Sequence, residues 1–271
     1  MNPDVGVPGD FDAWPDSQVH VEWGVTGAAL AARRGDVVVV VDVLSFSTSV
    51  AIAAERDMTC LVYSGPEITA RGGPAAVAEQ LAARALSSSR RVGPREISLS
   101  PQSLMRAERG RRVLFTSLNG ASVVAAASSA PAVLIVGLRN ASAGAEFVQR
   151  LMAEQSHDRT TIVASGEQWN SVESGIEAFR PAVEDWVGAG VICARLFDAG
   201  LRLSPEARLA AEASRSGVGA LESCISAREL QAAGFETDVT LALDVDASEM
   251  VAVRAEGVDS GREFRGMSPR G

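Results

Sequence analysis

Short runs of β-branched and aliphatic residues alternate with alanine-rich stretches along most of this chain, and the two textures predict different elements. Residues 37–44, 59–63, 112–116, 132–138 and 160–164 read as strands, being apolar, short and bounded by polar or turn-forming residues. Residues 47–55, 74–88, 119–127, 140–154 and 181–199 carry the alanines, leucines and helix-start residues of crossover helices. Strand–helix alternation of this kind predicts an α/β fold, a three-layer α/β/α sandwich around a largely parallel or mixed sheet. The texture changes near Ser204, where a Ser-Pro-Glu helix start precedes a Gly and Ser break and an apparent late strand at 239–243. The expected organisation is a mobile segment at 1–20 and an α/β core at 21–203. Residues 204–256 then form the last part of that domain or a small C-terminal subdomain, and 257–271 a mobile tail rich in Gly, Arg and Ser.

Ligands of open α/β sheets bind beyond the carboxyl ends of the strands, so the residues following each predicted strand are the first candidates for chemistry. The first strand ends at Asp42 and runs into Ser45, Ser47, Thr48 and Ser49. The third exits into Asn119 and Gly120, the fourth into Arg139 and Asn140, and the fifth into Ser165, Gly166 and Glu167. Ser47, Asn119 and Asn140 are also ordinary helix caps. Asp42 is different: a carboxylate closing a buried aliphatic strand requires a cation, a metal or several donors. A second cluster, Arg180-Pro181-Ala182-Val183-Glu184-Asp185, places two acids in a helical first turn, where the helix dipole favours them. Side chains of adjacent helical residues point about 100° apart, so Glu184 and Asp185 are expected to divide their tasks, one toward a metal and the other toward a cap or Arg180. Gly188 and Gly190 leave a bare helix face suited to close packing.

Composition narrows the chemistry further. The 271 residues include 25 basic side chains, all arginine, against 34 acids and two histidines. Without lysine there is no P-loop and no Schiff base, and two histidines are too few for most zinc hydrolases. A net charge of -9 argues against nucleic acid and against anionic membrane surfaces. The longest aliphatic run, 37–41, falls well short of the roughly 20 residues needed to span a bilayer. Residues 1–16 lack the basic flank and apolar core of a secretion signal, so the expected compartment is the cytoplasm. Cys60, Cys193 and Cys224 form no C-x-x-C pair and read as buried free thiols.

Several ordered blocks resemble the 2-phosphosulfolactate phosphatases, the ComB-like proteins. They are VVVVVDVLSFSTSVAIA (37–53), SLSPQSL (98–104), SLNGA (117–121), GLRNASA (137–143), SGEQW (165–169), FRPAVEDWVGAGVI (179–192) and a C-terminal block through Ser248. The resemblance implies a three-layer α/β/α phosphomonoesterase that uses Mg²⁺ and acts on 2-phosphosulfolactate, or a similar small phosphorylated acid, on the route to coenzyme M. It implies Asp42 with Glu184 or Asp185 as metal ligands, Asp42, Asp185 and Glu167 as catalytic groups, and Glu167 as general base. Ser45, Ser47, Thr48, Asn119, Gly120 and Asn140 would surround the substrate, with Arg139 or Arg228 on its carboxylate or sulfonate end. The chain departs from the family pattern at Ser45, where an arginine is usual, and at 89–93, before the Ser-Pro block. The competing expectation is a catalytically silent relative that binds such an acid without hydrolysing it. The expected partner is this small anion, with self-association left open.

Overall fold

The computed structural model describes residues 16–93, 95–154, 157–171, 176–255 and 261–270. In chain order these form β1 (Val19–Trp23), α1 (Gly24–Arg34), β2 (Val37–Val41), α2 (Phe46–Glu55), β3 (Thr59–Val62), α3 (Gly65–Ala70), α4 (Pro74–Gln80), β4 (Arg84–Ala85), α5 (Pro101–Met105), β5 (Arg112–Phe115), α6 (Gly120–Ala126) and β6 (Val133–Ile135). A short 3₁₀ turn, Leu138–Asn140, leads to α7 (Ala141–Glu154), β7 (Thr160–Ala164), β8 (Glu167–Ser171), β9 (Ile176–Arg180), α8 (Val183–Asp198) and α9 (Pro205–Gly217). After a second 3₁₀ turn come α10 (Ile225–Ala232), α11 (Glu236–Leu243), β10 (Val251–Arg254) and β11 (Glu263–Met267).

Nine strands make one mixed, largely parallel sheet in the order β1-β7-β2-β6-β10-β11-β3-β5-β4, and β8 with β9 forms a separate antiparallel hairpin. The layers follow from β2. Its five valines are all buried, without the polar alternation of a sheet that faces water on one side. Val37, Val39 and Val41 pack into a core with Phe147 and Leu151 of α7, Ile192 and Leu196 of α8 and Ala210 of α9. Val38 and Val40 point the other way, into a core with Ala28 of α1, Val50 of α2 and Val124 of α6. The expected α/β/α sandwich is therefore present. Every residue of α2 from Phe46 to Ala54 is buried, so this helix is enclosed, and its small Ser, Thr and Ala side chains allow that.

Pairing turns antiparallel at β10 and β11, and β3, β5 and β4 continue in the reversed sense. Five steps separate β2 from β5 in the sheet, yet the end of β5 and the loop after it return to the end of β2. The contacts record that return. The Phe46 and Phe115 rings meet edge to face with centroids 6.3 Å apart.

Four expectations are corrected. Residues 239–243 belong to a helix, α11, whose Val239 and Ala242 are buried three residues apart on one face; a five-residue apolar run does not distinguish the two periods. The helix expected across 74–88 ends at Gln80, and Arg84–Ala85 joins the sheet as its edge strand. Residues 263–267, assigned to a mobile tail, form β11 inside the sheet, with Phe264 fully buried and Glu263 paired to Arg112 and Arg265. Val19 and His20, assigned to the mobile N-terminal segment, lie in β1; residues 1–15 and 256–260 are outside the described residues. The stretch after 204 contributes β10 to the same sheet. Among the described residues no helix is long and apolar enough to cross a membrane.

Candidate active site

The ends of β2, β5 and β7 and the start of α8 meet in one place, and buried carboxylates hold them together. Asp42, one residue past β2, is 6% exposed. Its Oδ1 accepts the Phe46 amide at 3.2 Å and its Oδ2 the Gly120 amide at 3.0 Å. Asp185, in the first turn of α8, is 3% exposed and accepts the Val43 amide on Oδ1 at 2.8 Å and the Gly166 amide on Oδ2 at 2.9 Å. One acid thus ties β2 to the start of α6, and the other ties β2 to the end of β7.

Two glycines make these approaches feasible. A Cβ at Gly120 would stand 2.2 Å from Phe46 Cδ1 and 2.8 Å from Asp42 Oδ2, so the Asn-Gly pair after β5 is required for the amide to reach the carboxylate. Gly166 has φ +66° and its Cβ would meet the Phe179 ring at 2.4 Å, which turns the chain sharply from β7 into the β8–β9 hairpin.

Glu184, beside Asp185, is 2% exposed, and its Oε2 has no hydrogen-bond partner among the described residues. Ser165 Oγ, at the end of β7, is likewise buried without one among these residues. Glu167 accepts from Asn119 Nδ2 at 2.8 Å, and Asn119 Oδ1 in turn accepts the Gln168 amide at 3.1 Å, which fixes the orientation of both side chains.

The acids perturb one another. Burial pushes Asp42 up from 3.8 to about 7; the Phe46 and Gly120 amides oppose this, and the charges of Glu167 and Glu184 add to it. Asp185 is raised well above its ordinary value by burial and then by the charges of Asp42 and Glu184, against the Val43 and Gly166 amides. Glu167 is raised mainly by burial, opposed by the Asn119 hydrogen bond and the Arg180 charge. Four carboxylates within mutual electrostatic reach, two of them strongly raised, form a site that favours a cation.

Does that site suit Mg²⁺? Among the described residues no three His, Cys, Asp or Glu side chains stand close enough together to cage an ion on their own. Mg²⁺ needs less than a cage, since it keeps several waters and is held by one or two carboxylates and substrate phosphate. The unpartnered Glu184 Oε2 and the hard oxygen chemistry of the cluster fit that pattern. Each Asp42 oxygen already accepts one amide but retains a second lone pair.

Other sequence-derived candidates fall elsewhere. Ser47 and Thr48 are fully buried with their hydroxyls turned into the strand–helix junction: Ser47 Oγ accepts the Asp42 amide at 2.8 Å, and Thr48 Oγ1 donates to Val43 O at 2.8 Å. They shape the loop and leave no hydroxyl for a substrate. Asn140 caps its own turn, accepting the Gly137 amide and donating to Met250 O. Arg139 is 5% exposed and engaged by Glu55, Asp244 and Leu241 O where α2 meets α11, so its charge is neutralised away from the acids. Arg228 is exposed on α10. Ser45, 3% exposed, lies between Asp42 and α2, and its Oγ accepts from Arg90 Nη1 at 3.2 Å.

Three neighbours escaped the sequence reading as site residues. Arg180, paired across the hairpin with Glu167, donates to Ser226 Oγ at 3.3 Å and carries a charge that Glu167 feels. Cys224 lies against Glu184, and burial pushes its thiol up to about 11. Arg90 comes from the 86–100 loop, five residues past β4, a two-residue strand inside the stretch expected as helix, so strand-exit reasoning passed it over. For Arg180 the signal was present in its position before Pro181 and Glu184. Gly188 and Gly190 do pack closely as expected: their Cβ atoms would lie 2.8 Å from Val43 Cγ2 and 2.1 Å from Ala210 O. All three cysteines are free and buried.

No curated protein is similar enough to this chain to stand as a relative. Its sequence matches the pattern of the 2-phosphosulpholactate phosphatase family over residues 27–257, which include every carboxylate of the site, and the chain belongs to that family.

Proposed function

We propose that this protein is a Mg²⁺-dependent phosphomonoesterase that hydrolyses a small phosphorylated acid, 2-phosphosulfolactate or a close analogue, to the alcohol and phosphate. The observation that carries the reading is the cluster of buried Asp42, Glu184 and Asp185 with half-buried Glu167, gathered from the end of β2, the first turn of α8 and the start of β8 in a member of a phosphatase family. Such a cluster repels a phosphate dianion unless a cation intervenes, and a divalent ion resolves the conflict.

When bound, Mg²⁺ supplies a Lewis acid for a phosphoryl oxygen and lowers the pKa of a coordinated water. Glu184 and Asp42 are the residues that would hold it, Glu184 through its uncommitted oxygen. Asp185 positions the loops after β2 and β7 through its two amide bonds. Glu167, whose carboxyl burial raises above its ordinary range and which Asn119 orients, accepts the proton of the attacking water. Asn119, through the remaining proton of its Nδ2, would present a donor to the phosphate.

Phosphate release from a panel of phosphorylated hydroxy acids, measured with Mg²⁺ and again with EDTA, tests the activity. Metal-dependent turnover of at least one member is expected; its absence across the panel, with ligand binding retained, favours a silent relative. Glu184→Gln tests the ligand assignment without relying on turnover. Calorimetric titration with MgCl₂ should show at least a tenfold weaker association than wild type, about 1.4 kcal/mol, and an unchanged isotherm removes Glu184 from the metal set.

A further inference from the structure

On one face of the sheet the covering helices leave a gap. Phe264 of β11 packs into the core with Val50 and Ile52 of α2, so Glu263, Arg265 and Met267, at alternate positions, belong to the opposite face. There α7 covers Leu134 and Val253 of β6 and β10, while α3 and α4 cover Leu61 and Leu114 of β3 and β5. In the sheet, β11 lies between these two groups of strands, and its Arg265 and Met267 are exposed, Met267 by 42%. The gap holds a cavity of about 880 Å³, walled by Phe147, Arg150 and Leu151 of α7 and by Val253, Arg254 and Met267 of the sheet. Small-molecule sites occupy roughly 300–1,000 Å³, so the space suits an organic ligand rather than an ion.

This cavity is remote from the acid cluster. β10 runs antiparallel to β6 with Val253 opposite Leu134, so Arg254 lies toward the start of β6. β6 is parallel to β2, whose other end leads to Asp42.

Its charge is opposite as well. Three of the four charged side chains lining it are arginines, in a protein whose net charge is -9; the fourth is Glu154. Arg265 is neutralised by Glu263 at 2.6 Å. Arg150 and Arg254 have no carboxylate partner among the described residues. Arg254 donates from Nη1 to Ser128 O at 3.0 Å, and from Nη2 to Ala130 O and, at 3.2 Å, to Pro131 O. Arg150 donates from Nη1 to Pro269 O at 2.9 Å and lies over the Phe147 ring, 4.5 Å from its centroid. Carbonyl oxygens orient a guanidinium without cancelling its charge. Burial and then the charge of Arg262 lower the Arg254 pKa, as for a cation that lacks a counter-ion.

We infer that this cavity is a second ligand site, which takes an organic anion with an apolar body: the anionic group on Arg150 and Arg254, the body on Phe147, Leu151, Val253 and Met267. A neutral apolar ligand leaves two guanidinium charges uncompensated, and a bare inorganic anion leaves the apolar walls wet. The carbonyl and ring contacts already hold both arginines, which reduces the ordering that binding requires. The inference is independent of the phosphatase reading.

The test is fluorescence titration with 1-anilinonaphthalene-8-sulfonate and with N-phenyl-1-naphthylamine, the same ring system without the sulfonate. The wild type should bind one sulfonate dye per chain with Kd below about 0.1 mM, and the neutral dye at least tenfold more weakly. Arg150→Gln should weaken the sulfonate dye about tenfold and leave the neutral dye unchanged, whereas Met267→Asp, which places a negative charge on the floor, should weaken the sulfonate dye by more than that. Met105→Asp, on exposed α5 surface outside the cavity, should match wild type. Met267 is exposed, so its variant is expected to fold, and a melt within about 2 °C of wild type checks each protein. No saturable binding of the sulfonate dye, equal affinity for the neutral dye, or unchanged affinity in both cavity variants overturns the inference.

Discussion

Asp42 predicts a pH dependence that can be worked from its surroundings. In the folded protein it keeps its proton to about pH 7, against an ordinary value of 3.8, because burial and the charges of Glu167 and Glu184 outweigh two amide hydrogen bonds. Between those values the folded state binds more protons than the unfolded chain, so this residue's contribution is fully present below 3.8 and is lost as pH rises toward 7. The full gap corresponds to about 4 kcal/mol, of which about 3 kcal/mol falls between pH 4.5 and 8. Asp185 is raised in the same direction.

Asp42→Asn tests the effect, and because the charge of Asp42 also raises Asp185, the comparison reads the two linked titrations together. Asparagine does not titrate, and its single carbonyl can accept the Phe46 or the Gly120 amide but not both, which adds a constant cost of about 1–3 kcal/mol. Urea denaturation followed by circular dichroism, in EDTA at pH 4.5, 6 and 8, gives the stability of both proteins. The wild type should lose its advantage over the variant by about 3 kcal/mol across that range. Titrations far from the site, such as the lowered Glu67 and Asp246, cancel in the comparison; that of Asp185 does not, and it belongs to the measured difference. A difference constant to within about 1 kcal/mol would falsify the claim that Asp42 is a strained buried acid. Saturating Mg²⁺ should shrink the pH-dependent loss, since a cation bound to the folded cluster stabilises its charged form.

Two further substitutions test the scaffold. Gly190→Ala places a Cβ 2.1 Å from Ala210 O at the α8–α9 contact, so the helices must separate; a loss of about 1–3 kcal/mol, or roughly 2–12 °C in Tm, is expected, and an unchanged melt would show that the contact is looser than described. Phe264→Ala should cost about 3–5 kcal/mol in urea denaturation, because the ring is fully buried in β11, whereas a cost below about 1 kcal/mol would return residues 263–267 to the surface.

The chain's local pattern determines the layered fold because each β2 valine and each crossover helix carries its preference in neighbouring residues. Asp42 as a candidate was legible for the same reason: an acid that ends a run of five buried valines requires a specific environment. Its partners Glu184 and Asp185 were found together, but their division of labour was not, because it depends on which oxygens meet the Val43 and Gly166 amides from elsewhere in the fold. Ser47 and Thr48 looked like phosphate ligands, yet tertiary packing turned their hydroxyls inward. The strand at Glu263–Met267 and the reach of Arg90 to Ser45 were decided only by long-range assembly. Their local sequences hold no clear apolar period, and part of what holds them lies far along the chain: β11 pairs with β3 as well as with nearby β10, and Arg90 reaches Ser45.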